Sequence, residues 1–305
     1  MVQKADAALR SEAAEFSRRR QPLTPLRLLS QVFKVRLAGA GLVVVCVFAA
    51  VALLANVIDR YDPVKPDYSA PLARPSGRHF FGTDQLGRDI FSRVVHGARV
   101  SLGVATGATL LGVAIGVPLG LLSGFRRGWH DDVIMRVMDG LSATPGILLA
   151  LALVAALGPG AVNVMVALGI VSVPLLSRLV RAGTLAVRET DYMLAATAVG
   201  VKTPRLMAVH IMPNVVAPVL VQGSLVMAFA ILAEASLSFL GVGIRPPQPT
   251  WGIILADGFQ FIDSHFWLSL FPGMAIFFLV LGFNFVGDGL RDVLDPRLGR
   301  ALGLK

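Results

Sequence analysis

Three stretches of this chain are longer and more apolar than a soluble fold ordinarily buries. Leu37–Ile58 runs 22 residues without a charged side chain, Gly140–Ser177 runs 38, and Phe266–Gly287 runs 22. A fourth, Asn214–Ile244, carries one charge, Glu234. A helix rises about 1.5 Å per residue, so about 20 apolar residues cross the ~30 Å hydrocarbon core of a bilayer. Lipid offers the backbone no hydrogen-bond partner, and a helix satisfies its own backbone. These runs therefore predict an all-α polytopic membrane protein. The composition agrees: 55% of residues are apolar, 15% are charged, and the mean hydropathy is +0.70. A soluble domain carries about 25% charged residues, so no aqueous domain with a large core is expected.

The net charge of +9 raises the question of nucleic acid, but cytoplasmic loops of membrane proteins collect Lys and Arg, and no nucleic-acid partner is expected. Cys46 is the single cysteine and lies inside an apolar run. That leaves no disulfide and no cysteine metal cluster. The chain has no GxxxxGK[ST] loop to cradle phosphates and no HExxH. Its five His are scattered without metal-site spacing. Neither catalytic residues nor a cofactor bound by this chain is expected.

Taken in order, residues 1–23 are polar and read as a cytoplasmic tail. Thr24-Pro25 can open a helix, and Leu26, Leu29, Phe33 and Leu37 recur at helical spacing with Arg27, Lys34 and Arg36 on other faces. This predicts an interfacial helix within 1–36. Leu37–Ile58 is the first span, too long for a signal-peptide core. Asp59–Arg99 is a polar loop of 41 residues. Its second half predicts an amphipathic helix opened by Thr83-Asp84, with Leu86, Ile90 and Val94 on one stripe. Val100–Phe125, Val133–Leu157, Ala161–Ser177, Asn214–Leu240 and Phe266–Gly287 are the other five spans. Gly103 and Gly107 are four apart, as are Gly112, Gly116, Gly120 and Gly124. Small residues at that spacing let helices pack closely in lipid. Pro118, Pro145, Pro174, Pro218 and Pro272 put one proline in each of spans two to six, where each frees a carbonyl and tends to kink its helix.

Lys and Arg orient the chain. The arm through Arg36 has eight, Gly124–Asp132 two, Arg178–Pro213 five and the tail after Gly287 four. The opposite side has seven in the long first loop, one (Arg245) between spans five and six, and none in Leu157–Gly160. Short loops weigh most, so both termini and the 178–213 loop are expected in the cytoplasm. Ionisable residues inside the membrane carry a functional hypothesis by default. Arg136 and Asp139, three apart near the cytoplasmic end of span three, can pair; Asp139 is also a candidate for the substrate path.

The 178–213 loop is longer than two adjacent spans need, and Asp191–Pro213 within it has internal order. Leu194, Ala195, Ala196 and Ala198 favour helix. Gly200 stands where a helix C-terminus favours glycine. Thr203 before Pro204 is the order of an N-cap and N1, so a second helix is expected from Pro204 to His210. Pattern alone leaves two readings open: a compact knob for docking another protein, or a solvated linker.

Ala195-Ala196, Gly200 and Ile211-Met212-Pro213 resemble the "EAA–G–I-LP" signature of bacterial ABC importer permeases. In that family the loop forms the coupling helix seated in a groove of the ATP-hydrolysing subunit. Leu194 stands where the family carries Glu, which removes a charge at that position. Phe81-Gly82-Thr83-Asp84, Gly87-Arg88-Asp89, Ser92-Arg93, Gly97, Arg99 and Ser101-Leu102 resemble the "FGTDxxGRDxxSRxxxGxRxSL" segment of the peptide, nickel and glutathione branch. AEASLSFLGVG from Ala233 and GDGLRDVLDPRLG from Gly287 are similar to further strings of that branch.

The resemblance implies a type I importer permease fold and places several parts. Residues 100–290 would form a five-helix permease core with 178–213 as coupling loop, and 291–305 a cytoplasmic tail. Partners would be a second permease, two ATPase subunits holding ATP and Mg, and an extracytoplasmic binding protein near Arg245–Gly252. Glu234 would serve either as ligand for a peptide ammonium or as a contact with the second permease. The implied function is import of dipeptides or oligopeptides across the bacterial cytoplasmic membrane by alternating access, with nickel or glutathione as rival substrates. From another class, a secondary transporter would need coupling-ion sites at the midplane, for which only Glu234 and Asp139 offer themselves.

Overall fold

A computed structural model describes Phe33 and residues 35–294. The expected interfacial helix and the tail from 295 lie outside the described residues. The described chain is helical: α1 Arg36–Leu53, α2 Ala55–Ile58, α3 Ile90–Phe125, α4 Trp129–Ser142, α5 Gly146–Leu157, α6 Ala161–Arg188, α7 Asp191–Ala198, α8 Thr203–Phe239, α9 Trp251–Phe259 and α10 Trp267–Leu294. Five of these are long and apolar enough to cross a membrane, and α4 with α5 makes six if the bent pair is one span.

The glycine stripe packs α3 against α6. A Cβ at Gly116 would stand 2.9 Å from Cβ of Leu176, and one at Gly124 2.6 Å from Cβ of Thr184. Gly112 and Gly120 meet Ser172 and Ser177 of α6 in the same way, whereas Gly103 faces open space. Four turns of close backbone approach follow from four small residues. Gly41 of α1 lies equally close to Gly282 and Phe285 of α10.

The third span is not a straight helix. α4 and α5 meet at 90°. Pro145 disfavours an α conformation for the residue before it, and α5 restarts at Gly146 behind an extended Pro145. The other four prolines lie inside continuous helices.

Several boundaries differ from those expected. α3 begins ten residues before Val100, and its N-cap is Asp89, whose carboxylate accepts from the Ser92 amide at 2.8 Å. Thr83 and Asp84 do not open a helix. Gly82 and Gly87 take left-handed φ of 78° and 74°, and Asp84 turns its carboxylate onto the amides of Leu86 and Arg88. The side chain that could have capped a helix closes a tight loop instead. α6 continues eleven residues past Ser177, and α8 starts at Thr203. Two cores result. One joins α3, α5, α6, α8, α9 and α10 over most of the bundle. A smaller one gathers Val117, Leu121, Val180, Met193, Leu206, Ile211 and Val215 at the α7 end.

Candidate functional site

At the α7 end the chain builds a knob from local rules. α7 closes at Gly200, which has φ 82° and open space around it. The Gly200 amide donates to the Thr197 carbonyl at 3.0 Å, and the Val201 amide to the Ala196 carbonyl at 3.1 Å. This is the Schellman arrangement, with glycine at the left-handed position. Ala196 and Val201, at the two ends of the longer bond, both pack on the small core. Lys202, not Thr203, is the N-cap of α8, and Thr203 occupies the first turn with Pro204. The expected second helix does not stop at His210. It runs through a π turn, Leu206–Ile211, into the membrane-length helix. Pro213 lacks an amide, and its ring crowds the carbonyl four residues back; the widened turn just before it absorbs that conflict.

Three side chains anchor the knob: Met193 and Leu206 are 2% exposed and Ile211 0%. The opposite face is apolar and uncovered. Leu194 is 60% exposed, Val199 85% and Val209 57%. Of the predicted coupling residues, Ile211 is therefore a buried anchor, and Ala196 is half-buried against Val201. Ala195, Leu194, Gly200 and Pro213 are exposed. Ion pairs flank the knob. Arg181 binds Asp131 with two bonds of 2.7 and 2.6 Å, joining α6 to α4. Arg127 meets Glu189 at 2.5 Å.

Asp139 does not pair with Arg136. Its partner is Arg178 of α6, at 3.0 Å. Arg178 also reaches the Met138 carbonyl and the Ser142 hydroxyl, so one guanidinium ties the C-terminal turn of α4, where a cation is favoured, to α6. Both side chains are about half exposed or more.

Glu234 is fully buried. It accepts from the Ser101 hydroxyl at 2.8 Å and from the Ser238 hydroxyl at 2.9 Å. Ser238 in turn accepts from the Ile244 amide at 3.2 Å. The carboxyl group thus pins α3 to α8 and to the turn beyond it. Both roles expected of Glu234 need an open carboxylate, and here the chain itself encloses it.

At the other end lies a cluster that the sequence did not disclose. Arg88 and Arg93 are 8% and 1% exposed. Both bind Asp84, and both reach Asp257 of α9 at 3.2 Å. Two cations and two anions balance in a largely buried site, with Asp257 at its partly exposed edge. Fully buried Trp251 adds a 2.9 Å bond from its Nε1 to the Val94 carbonyl. Together they clamp α9 to the first turns of α3. Only a lone acid in the apolar run after Thr250 hinted at Asp257.

Comparison with known proteins fits this geometry. Residues 116–300 match the family described as binding-protein-dependent transport system inner membrane component. The chain is 45% identical over 268 residues, 88% of each chain, to the dipeptide transport system permease protein DppC of Alkalihalophilus pseudofirmus. It is 42% identical to the di/tripeptide transport system permease protein DppC of Pseudomonas aeruginosa, covering 87% of this chain and 89% of that one. It is 44% identical to the glutathione transport system permease protein GsiD of Pectobacterium atrosepticum, covering 85% and 86%. In fold it is similar to the inward-facing methionine ABC transporter MetNI, with a TM-score of 0.55 at 18% identity, over 67% of this chain and 97% of that one. With five or six membrane-length helices among the described residues, the chain belongs to the binding-protein-dependent transport system inner membrane component family, as a multi-pass permease of the ABC importer class.

Proposed function

We propose that this chain is one of two permease subunits of an importer that moves short peptides across the bacterial cytoplasmic membrane. The uncovered apolar face of the knob carries this reading: Leu194, Val199 and Val209 stand exposed on an element that Met193, Leu206 and Ile211 hold rigidly to α6 and α8. A rigid knob with an apolar crown fits a groove on an ATPase subunit, and Leu194 makes that contact apolar rather than ionic. Two ATPase subunits, holding ATP and Mg, dock there. The chain itself binds no nucleotide. Their closure moves the knob, and α6 and α8 carry the motion to the path between the two permeases. The Lys and Arg asymmetry puts the knob and both termini in the cytoplasm and the α9 clamp outside, where a binding protein delivers substrate.

Peptide is favoured because the dipeptide and di/tripeptide permeases match over most of their length. Glutathione is the second reading, supported by a relative of similar identity; it is itself a tripeptide with one γ-linked bond. The test is uptake by proteoliposomes holding this chain, its partner permease, both ATPases and the binding protein. ATP-dependent uptake of dialanine is expected. Uptake by this chain alone without ATP would make it a secondary transporter. ATP-dependent uptake of glutathione or nickel but not of dialanine would overturn the substrate.

A further inference from the structure

The two hydrophobic cores do not merge. On α3 the large core ends at Ala108 and the small one starts at Val113; on α6 the limits are Val171 and Val180. On α8 the small core ends at Val219 and the large one resumes at Met227. Small and polar side chains fill the gap, among them Thr109 of α3, Ser177 of α6 and Gly223 of α8. The Thr109 and Ser177 hydroxyls are buried and have no partner among the described residues. The apolar packing that holds each core together is interrupted here, and a hydroxyl without a partner ties nothing across the break.

Prolines weaken the backbone at the same level. Pro174 lies within the α6 gap, and Pro218 is next to Val219. Pro118 lies between Gly116 and Gly120, whose Cβ positions would stand 2.9 and 2.7 Å from Leu176 and Val180 of α6. Each of the three deletes one i→i−4 backbone bond. Pro145 is the 90° break between α4 and α5. A Cβ at the neighbouring Gly146 would stand 3.1 Å from Val171, at the edge of the α6 gap. The fifth proline, Pro272, lies in the part of α10 that packs in the large core with Leu268 and Ala275.

The helices on either side of Pro145 belong to different bodies. Ala150 and Val154 of α5 are part of the large core. α4 buries only Asp131 and Met138. It is held by Arg178 and Arg181, both of which follow Pro174 on α6. We propose that the level of Pro118, Pro145, Pro174 and Pro218 is a hinge within the subunit. The knob, α4 and the adjoining parts of α3, α6 and α8 swing across it as one body against the rest of the bundle. The inference rests on the importer reading above, in which closure of the ATPase subunits moves the knob. Prolines are where helices bend sharply, and separately packed bodies move about the few residues that join them.

The test is spin-label distance measurement in the assembled importer, in a Cys46→Ala background, with and without ATP and vanadate to hold the ATPase subunits closed. Labels go on three exposed side chains, as Val137→Cys of α4 and Val216→Cys and Leu240→Cys of α8. The first two lie on the knob's side of the hinge and the third across it. The Val137–Val216 distance should stay fixed. The Val137–Leu240 distance should shift by about 3 Å or more, the travel of a 12-residue arm swung by about 10°. Pro174→Ala together with Pro218→Ala lets two backbone bonds form, and peptide uptake per ATP hydrolysed should fall about tenfold, or about 1.4 kcal/mol on the swing. A fixed Val137–Leu240 distance would mean that the subunit moves as one rigid body and would overturn the proposal. So would an equal shift in both distances, or an unchanged uptake ratio in the double variant. If the double variant does not assemble, the distances decide alone. A shift across the hinge in a complex that takes up no peptide would leave the hinge standing and remove its peptide cargo. Normal peptide uptake with both distances fixed would remove the hinge alone.

Discussion

At its α7 end the chain leaves Leu194, Val199 and Val209 uncovered; at its opposite end it buries Arg88, Arg93 and Asp84 together, with Asp257 partly exposed beside them. The first region is shaped by backbone rules and a few apolar anchors, and its crown is left uncovered by the described chain. The second is held mainly from within, by charges that have largely given up water for one another. The difference teaches where motion can enter. Apolar contact is non-directional and tolerates a partner that rocks, whereas a buried ion cluster holds one geometry or fails. The knob is thus suited to receive movement and the α3–α9 clamp to hold the bundle while it passes.

The sharpest way to break that contrast is at Arg93. Arg93→Ala leaves Asp84 and Asp257 short of a buried partner, and removing one member of a buried pair costs about 3–5 kcal/mol. The thermal midpoint of the detergent-solubilised complex should fall sharply. An unchanged midpoint would mean that the α3–α9 end is not held by charge.

Between the two ends, Gly116→Leu drives a side chain into Leu176, 2.9 Å from where its Cβ would sit. Overpacking of that kind costs about 1–3 kcal/mol. The loss should appear as reduced yield of folded subunit, and Gly103→Leu, on an open face, should leave the yield intact. Equal yields for the two would contradict the α3–α6 seam.

The knob responds to backbone alone at Gly200. Its surroundings have room for a Cβ, but φ of 82° does not suit one. Gly200→Ala should cost about 1–2 kcal/mol locally. Binding-protein-stimulated ATPase activity should drop while membrane insertion stays normal. Full stimulation would show that the turn is not part of coupling.

Glu234→Gln should have the smallest effect. Gln keeps the size and still accepts from one of the Ser101 and Ser238 hydroxyls, so the loss should be about 1 kcal/mol. Uptake of free and N-acetylated peptides should fall equally, because the enclosed side chain touches neither. A selective loss for free peptides would place Glu234 on the path.

Much of the knob was legible because its rules are local. Gly200 followed a short run of helix formers, and a glycine there has one common use. The spans were legible because 22 uncharged residues leave few alternatives. Their ends were less so: α3 and α6 run about ten residues beyond their apolar stretches, since polar residues continue a helix as readily as they end one. Arg136 and Asp139 were paired by spacing, yet Arg178 offers Asp139 a guanidinium that also satisfies the C-terminal turn of α4. Arg93 and Asp257 stand 164 positions apart, and no periodicity connects them. Thr83-Asp84 looked like a cap because capping and loop closure use the same oxygens. The neighbouring glycines decided which occurred.

The central claim is that the apolar crown of the knob is covered by an ATPase subunit on the cytoplasmic side. Val199→Cys and Ser264→Cys, each in a Cys46→Ala background, can be treated with an impermeant thiol reagent in inverted membrane vesicles. In vesicles stripped of ATPase subunits, Val199→Cys should react and Ser264→Cys should not. Rebinding the ATPase subunits should slow Val199→Cys labelling at least about tenfold, as expected for a side chain that passes from 85% exposed into a close-packed contact. Labelling of Val199→Cys that is unchanged by the ATPase subunits, or labelling of Ser264→Cys in its place, would contradict the account.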